Sequence, residues 1–298
     1  MQPLHDPKRG VMRLAIFMSG SGSNAEKIIE KYLSDRDKDD VAFEPVLMFT
    51  DNPDSNAVNI ATKKYLERGF TMPVFTNSIR GFYKKRGVED IADMEARDAY
   101  DNVQVNVLDE FMVGCIALAG YDWVTRAALC NTFLTVNVHP GDLRVKGANG
   151  KPKYRGLAWV PSAKAILAGE DEVHTSVHVV TPELDGGPVL AFSGAQQVPL
   201  EARIEDRRKL LGNATSLKEI SDFVKAHPDV AKSALYELFP IYRHAVDCQQ
   251  RLKENGDWVV YPRVLRAIAE GKYSVEGKLV HYEGKPIPNG MLVTEGVL

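Results

Sequence analysis

Asn137 and His139 sit two positions apart near the end of an apolar run, "LTVNVHP" (134–140). Side chains alternate along a strand, so Leu134, Val136 and Val138 share one face, and Thr135, Asn137 and His139 share the other. An amide N–H and an imidazolium on one face can both donate to a single developing oxyanion, which is the chemistry of acyl transfer. A histidine near a strand end is more often a packed, hydrogen-bonded residue. The pair, at the carboxyl edge of a sheet, is what raises the functional reading. The stretch "ELDGGP" (183–188) supplies a carboxylate. Asp-Gly-Gly is also a hairpin signal. Read functionally, Asp185 accepts a proton, directly or through a water, or orients His139. The loop alone does not decide between the two. His178, in "SVHVV", is either a core histidine or a neighbour that supports this group, and the second reading is preferred.

A third constellation is "SGSGSN" (19–24), between an expected strand and an expected helix. Its glycines allow a sharp turn and close backbone approach. Its free amides open a helix whose dipole favours an anion. Phosphate binding is one reading, and a plain turn capped by Ser23 or Asn24 is the other. The motif lacks the lysine of a P-loop and the full spacing of GxGxxG. His139, His174, His178 and Asp185 show no metal-ligand spacing, so no metal is expected. No GxSxG elbow supports a serine nucleophile.

These groups need elements to hold them. Strands are expected at 13–20, 43–51, 71–76, 113–120 and 134–140. Helices are expected at 24–33, 56–69, 95–111 and 124–130 between them, from the spacing of their apolar residues. Doubly apolar strands alternating with helices make a Rossmann-like α/β fold: a mostly parallel twisted sheet flanked by helices. After residue 160 the pattern changes. Residues 162–170 read as helix, and 174–200 as two antiparallel strands around a Gly-rich turn. Residues 201–255 read as charged and mostly helical, 258–271 as a helix with Pro262 near its start, and 272–290 as a small hairpin with an irregular end. The organisation expected is one domain over 1–298. Its halves are 13–140, which binds phosphate, and 141–272, which carries catalysis and a helical insert near 201–250; a tail follows at 273–298. Disorder is expected first at 1–10, then at 144–153.

Composition narrows the classes. Over 298 residues, 44% apolar and 26% charged residues fit a globular protein, and a net charge of −3 gives no reason for nucleic-acid binding. Three cysteines without a CxxC pair point to reduced thiols. No apolar window spans a membrane and the first residues carry no signal peptide, so a cytoplasmic location is expected.

Taken in order, "FMSGSGSNAEKII" (17–29), "RDAYD" (97–101), "IALAGY" (116–121), "VNVHPGDL" (136–143), "HTSVHVVTPELDGGPVL" (174–190) and, more weakly, "DWVVYPRVLRAIAEGK" (257–272) resemble the folate-dependent formyltransferases. The Gly-Ser-Gly-Ser-Asn loop tilts the resemblance toward the branch that formylates glycinamide ribonucleotide. The resemblance implies the formyltransferase fold and 10-formyltetrahydrofolate as co-substrate. It implies catalysis by Asn137, His139 and Asp185, with His139 cationic in the transition state. Gly20, Ser21, Gly22, Ser23 and Asn24 would hold the acceptor phosphate and ribose, and Asp257, where the family has glutamate, the ribose. Arg97, Tyr121, Asp122, Trp123, Val124 and Leu184 would bind folate. Partners would be small molecules, a phosphorylated amine and a folate; oligomeric state is left open. The chain departs from the family in reading "GDLR" after Asn-x-His-Pro in place of Ser-Leu-Leu-Pro. It also has Ala158 and Val160 where two histidines are usual. A different amine acceptor, such as an amino sugar nucleotide or a charged tRNA, stays open. So does a formyltetrahydrofolate deformylase, although those hydrolases usually carry an N-terminal regulatory domain for which a first strand near residue 13 is expected to leave no room.

Overall fold

The computed structural model describes residues 2–90 and 92–294. The central sheet is built from β1 (Met12–Met18), β2 (Phe43–Thr50), β3 (Val74–Thr76), β4 (Cys115–Leu118), β5 (Leu134–His139), β6 (Ser176–Val179), β7 (Val189–Ser193) and, beyond a hairpin of β8 (Tyr273–Glu276) and β9 (Leu279–Tyr282), β10 (Met291–Val293). Its order is β10-β7-β6-β5-β4-β1-β2-β3. Strands β1 to β5 are parallel, β6 is antiparallel to both β5 and β7, and β10 lies parallel to β7. From β1 the chain builds outward through β2 and β3, then returns to lay β4 and β5 on the other side. The strand order reverses between β1 and β4, and ligands of open α/β sheets bind at such a reversal.

The strands read as continuous apolar runs because helices cover both faces. On one face Leu14, Ile16 and Met18 pack with Ile28, Ile29 and Leu33 of α1 (Ser23–Arg36). On the other, Ala15 and Phe17 pack with Tyr100 and Leu108, which belong to the long helix Met94–Glu110. With Ile79–Lys85 as α2, that helix is α3, followed by α4 (Ala127–Thr132), α5 (Val160–Leu167), α6 (Leu217–Ala226), α7 (Lys232–Leu238), α8 (Pro240–Leu252) and α9 (Trp258–Ala269). Each fully buried aliphatic or aromatic side chain contributes about 1.5–3 kcal/mol. Helix α9 is tied to the sheet beside the site: the Tyr261 hydroxyl donates to the Val136 carbonyl at 2.7 Å. A third cluster lies away from the sheet, where α5 supplies Ala163 and Ile166 to Ile220, Leu235, Ile241 and Leu252 of the segment after residue 200.

Four expectations change. The single helix over 56–69 is broken into Ala57–Asn59, a π turn Ile60–Lys64 and a 3-10 turn Leu66–Arg68, ending at Gly69 with φ 64°. The end of the chain adds an edge strand, β10. Residues expected to be disordered are ordered: Gln2 and Pro3 pair with Val275 and Ser274 of β8, and Lys146 bridges Pro152. Neither Ser23 nor Asn24 caps α1. Gly22 is the N-cap, with φ 77° and no side-chain cap bond. Among the described residues, no helix is long and apolar enough to cross a membrane, and no group of three His, Cys, Asp or Glu side chains is arranged to hold a metal.

Candidate active site

A cleft of about 410 Å³ opens at the carboxyl ends of β1, β4 and β5. The loop after β1 brings Gly20, Ser21, Gly22, Ser23 and Asn24. The loop after β4 brings Tyr121, Asp122, Trp123 and Val124. Strand β5 brings Asn137 and His139, and the loop after β6 brings Leu184 and Asp185. The turn preceding α9 brings Asp257. Parallel β1, β4 and β5 deliver their ends to one edge, and the loop after the antiparallel β6 and the turn before α9 reach the same cleft, so that Asn24 and Asp257, 233 positions apart, meet there.

His139 is 3% exposed. Its Nε2 lies 2.8 Å from the Tyr154 carbonyl, which can only accept, so the proton sits on Nε2. That leaves the Nδ1 lone pair facing Asp185 Oδ1 at 3.8 Å, within ion-pair range but beyond hydrogen-bonding distance. Burial lowers the His139 pKa, against an opposing pull from the Asp185 charge. The imidazole therefore rests neutral and becomes a cation only by taking up a proton. His178 pairs across the sheet with Asn137. Its Nδ1–H donates to the Val179 carbonyl at 3.0 Å, and its Nε2 accepts from Asn137 Nδ2 at 3.4 Å. Burial pushes the His178 pKa down to about 4, so it too is neutral and serves as an acceptor that orients the amide. Asp185 adopts φ 51° and Ala158, also lining the cleft, φ 53°. Such backbone strain in residues other than glycine concentrates at functional sites.

Gly141 explains the departure after Asn-x-His-Pro. A Cβ there would lie 2.7 Å from the Tyr154 carbonyl oxygen and 3.0 Å from His139 Nε2. Glycine lets the 154 carbonyl reach the imidazole. Gly187 does similar work for the Asp185 loop, since a Cβ would meet the Val179 carbonyl oxygen at 1.8 Å.

At the other end, Asp257 is fully enclosed and accepts from Thr175 Oγ1 at 2.7 Å and Asn24 Nδ2 at 3.4 Å. Burial raises its pKa to about 6. Asn24 Oδ1 is buried without a partner. The wall is pinned from behind: Asp51 accepts from Trp123 Nε1 at 2.7 Å and from Ser19 Oγ, which in turn accepts from the Asp122 amide at 3.0 Å. Arg97 does not line the cleft. Its guanidinium is buried behind the wall, 3.2 Å from both the Tyr121 hydroxyl and Asp101 Oδ1 and 5.8 Å from the Trp123 ring centre. It sits there because Asp101, one helical turn on, shares its face of α3.

Sequence reasoning missed Asp51, Gly141, Tyr154, Thr175, Gln249 and Lys253, and it placed Ser19 in the 19–24 loop without its link to Asp51. Gly141 carried the one available signal, as a break in a family motif. The others act through contacts between segments distant in the chain.

The fold that brings these groups together has counterparts among known proteins. The formyl transferase family model matches residues 12–219, and the chain belongs to that family. Among its relatives are phosphoribosylglycinamide formyltransferases. That of Escherichia coli is 27% identical over 202 residues, covering 65% of this chain and 80% of that protein. That of Haemophilus influenzae is 21% identical over 286 residues, covering 95% and 99%. The solved phosphoribosylglycinamide formyltransferase of Anaplasma phagocytophilum shares the fold at a TM-score of 0.57 and 18% identity, covering 95% of this chain and 98% of that one. The Coxiella burnetii structure does so at 0.56 and 19%, covering 95% and 99%.

Proposed function

We propose that this protein transfers the formyl group of 10-formyltetrahydrofolate to the primary amine of glycinamide ribonucleotide. The observation that carries the reading is that Asn137, His139 and Asp185 converge in one cleft that also holds the amide-rich 20–24 loop. The relatives named for this activity support the choice of acceptor.

The chemistry follows from the resting geometry. The acceptor nitrogen attacks the formyl carbon and the carbonyl π electrons move to oxygen. Asn137 Nδ2 carries two hydrogens. One is engaged by His178, and the second is left for the oxyanion. The neutral His139 takes the amine proton on Nδ1 and becomes an imidazolium beside the forming oxyanion, with Asp185 balancing its charge. Collapse restores the carbonyl, breaks the bond to folate N10 and returns the proton to that nitrogen. Tyr121, Asp122, Trp123, Val124 and Leu184 form the folate side in this reading, with Arg97 acting through the Tyr121–Trp123 wall.

The test is turnover of purified protein with 10-formyltetrahydrofolate, with and without glycinamide ribonucleotide, following tetrahydrofolate release. Turnover that requires the ribonucleotide supports the reading. Folate binding without ribonucleotide-dependent turnover sends the search to other amines, and amine-independent release of formate makes the protein a deformylase.

A further inference from the structure

The Asp185 carboxylate is enclosed without a cation beside it. Its side chain is 8% exposed, and among the described residues its ion-pair partners are His139 Nδ1 at 3.8 Å and His178 Nε2 at 4.0 Å. Burial lowers the pKa of both imidazoles, so both rest neutral. A buried carboxylate without a counter-charge is costly. The cation that meets this need does not line the cleft. It is Lys164, half-buried on α5. Its charge and that of Asp185 attract each other, and the same ammonium opposes protonation of His139. The other cations near the site face elsewhere. Lys146 acts on His178, but its Nζ donates to the Leu143 carbonyl at 2.8 Å and its carboxylate neighbours are Glu183 and Asp142. Lys151 pairs with Glu183 at 3.5 Å. Arg155 meets Lys164 as a like charge.

Lys164 is also tied to the backbone that holds the histidine. Its Nζ donates to the Arg155 carbonyl at 2.6 Å. The preceding residue, Tyr154, supplies the carbonyl that takes the His139 Nε2–H at 2.8 Å. The following residues, Gly156, Leu157 and Ala158, line the cleft, with φ 134° at Gly156 and 53° at Ala158. A residue other than glycine keeps such a conformation only where its surroundings over-determine it. Here they do. A Cβ on Gly156 would lie 3.1 Å from Val160 Cγ1 and 3.9 Å from Lys164 Nζ. One ammonium, reaching back from a helix, thus fixes a segment that clamps His139 at its start and walls the cleft at its end.

We infer that Lys164 is a positioning residue of the catalytic end, holding the 154–158 segment against His139 and supplying the counter-charge of Asp185. At rest the Lys164 and Asp185 charges cancel and His139 is neutral. When His139 takes the amine proton, the imidazolium is matched by the oxyanion, so the net charge of the enclosed site does not change. Lys164 keeps His139 free to act as a base until that proton arrives. The inference rests on the proposed function for what His139 does with the proton, though not for how readily His139 binds one.

The experiment compares wild type with three variants. Lys164→Met removes the charge and the donor, Lys164→Gln removes the charge and keeps a donor, and Lys164→Arg keeps both. The readouts are the pH profile of kcat/KM for formyl transfer and, independent of turnover, the NMR titration of the His139 ring, assigned by its loss in His139→Gln. Removing a nearby like charge favours the imidazolium. In the methionine and glutamine variants the His139 titration should therefore move to higher pH. The acid limb of kcat/KM, which reports the coupled His139–Asp185 pair, should move with it. In Lys164→Met, kcat/KM should also fall about tenfold on the alkaline side of that limb, because small misplacements of a catalytic group are expensive. Lys164→Gln should recover part of that loss without recovering the limb, and Lys164→Arg should keep the wild-type limb. A His139 titration that stays in place in either uncharged variant overturns the inference while sparing the proposed function. If the methionine variant does not fold, the glutamine variant decides. If the wild type does not use the ribonucleotide, the proposed function fails, and the NMR titration decides on Lys164 by itself: a move to higher pH upholds the inference, and an unchanged titration overturns it.

Discussion

The two ends of the cleft are built by different means. At the catalytic end, Asn137 and His139 are consecutive same-face residues of one strand. Each has one polar atom engaged by a neighbour and another left open, and the backbone around them is fitted so closely that glycine is required at 141 and 187. At the acceptor end, the 20–24 loop, Thr175, Lys253 and Asp257 come from three separate parts of the chain. One atom, Asn24 Oδ1, is left without a partner. In the proposed reading the first end fixes where a proton goes and the second fixes which molecule is held.

The largest effect should come from the first end. His139→Ala removes the proton acceptor and the cation it becomes, and should lower kcat by about a hundredfold or more, the usual cost of losing an oxyanion-stabilising donor. Binding of folate, read by fluorescence quenching, should stay nearly intact. A fall of less than about tenfold on that scale would remove His139 from its assigned role. The next effect tests the other end. The Asp257 pKa is raised from 3.8 to about 6 by burial. Between those values the folded protein binds a proton that the unfolded chain has released. Stability therefore falls as pH rises from about 4 to 6 and is level above that. About two units correspond to ~3 kcal/mol. Asp257→Asn, which keeps the bond from Thr175, should flatten that slope in urea melts at stepped pH. It should also weaken the acceptor's hold near pH 7, where the wild-type group is ionised. Parallel pH profiles for the two proteins would mean that Asp257 is not enclosed in solution.

How far the sequence anticipated each end follows from the same difference. Asn137 and His139 were legible because alternation along a strand is local, and Asp185 because Leu-Asp-Gly-Gly-Pro is a contiguous motif. The parallel sheet was legible in its doubly apolar runs. Tyr154 was not, because its role is played by a backbone carbonyl fifteen residues beyond His139, and carbonyls leave no mark in a sequence. Lys253 lay in a charged stretch where one lysine resembles any other. The break in the helix over 56–69 was hidden because apolar spacing does not distinguish a π turn from an α turn over five residues. Strand β10 is only three residues long and pairs by its backbone at the sheet edge.

Gly141→Ser sharpens the account of the catalytic end. The added Cβ would press on the Tyr154 carbonyl, which is backbone and cannot swing aside. Overpacking of this kind costs about 1–3 kcal/mol, measurable by denaturant unfolding. Displacing the imidazole should also reduce kcat about tenfold or more, because small misplacements of a catalytic group are expensive. A stable, fully active serine variant would mean that the close approach of residue 154 to His139 is not made in solution.

The smallest effect expected is at Trp123, and it separates the folate wall from both ends. Trp123→Phe keeps an aromatic face toward the cleft but deletes the indole N–H that donates to Asp51 Oδ2. Asp51 is 7% exposed and retains Ser19 as a donor on its other oxygen. The loss should therefore be about 1.5 kcal/mol, the low end for a hydrogen bond to a charged group. Ser19 also accepts from the Asp122 amide, so loosening Asp51 loosens the 121–124 loop. The folate KM should rise several-fold while the ribonucleotide KM and the pH profile of kcat stay unchanged. If the ribonucleotide KM rises equally, the Ser19–Asp51 link transmits the change into the 20–24 loop, and the folate and acceptor sides of the cleft are mechanically one unit.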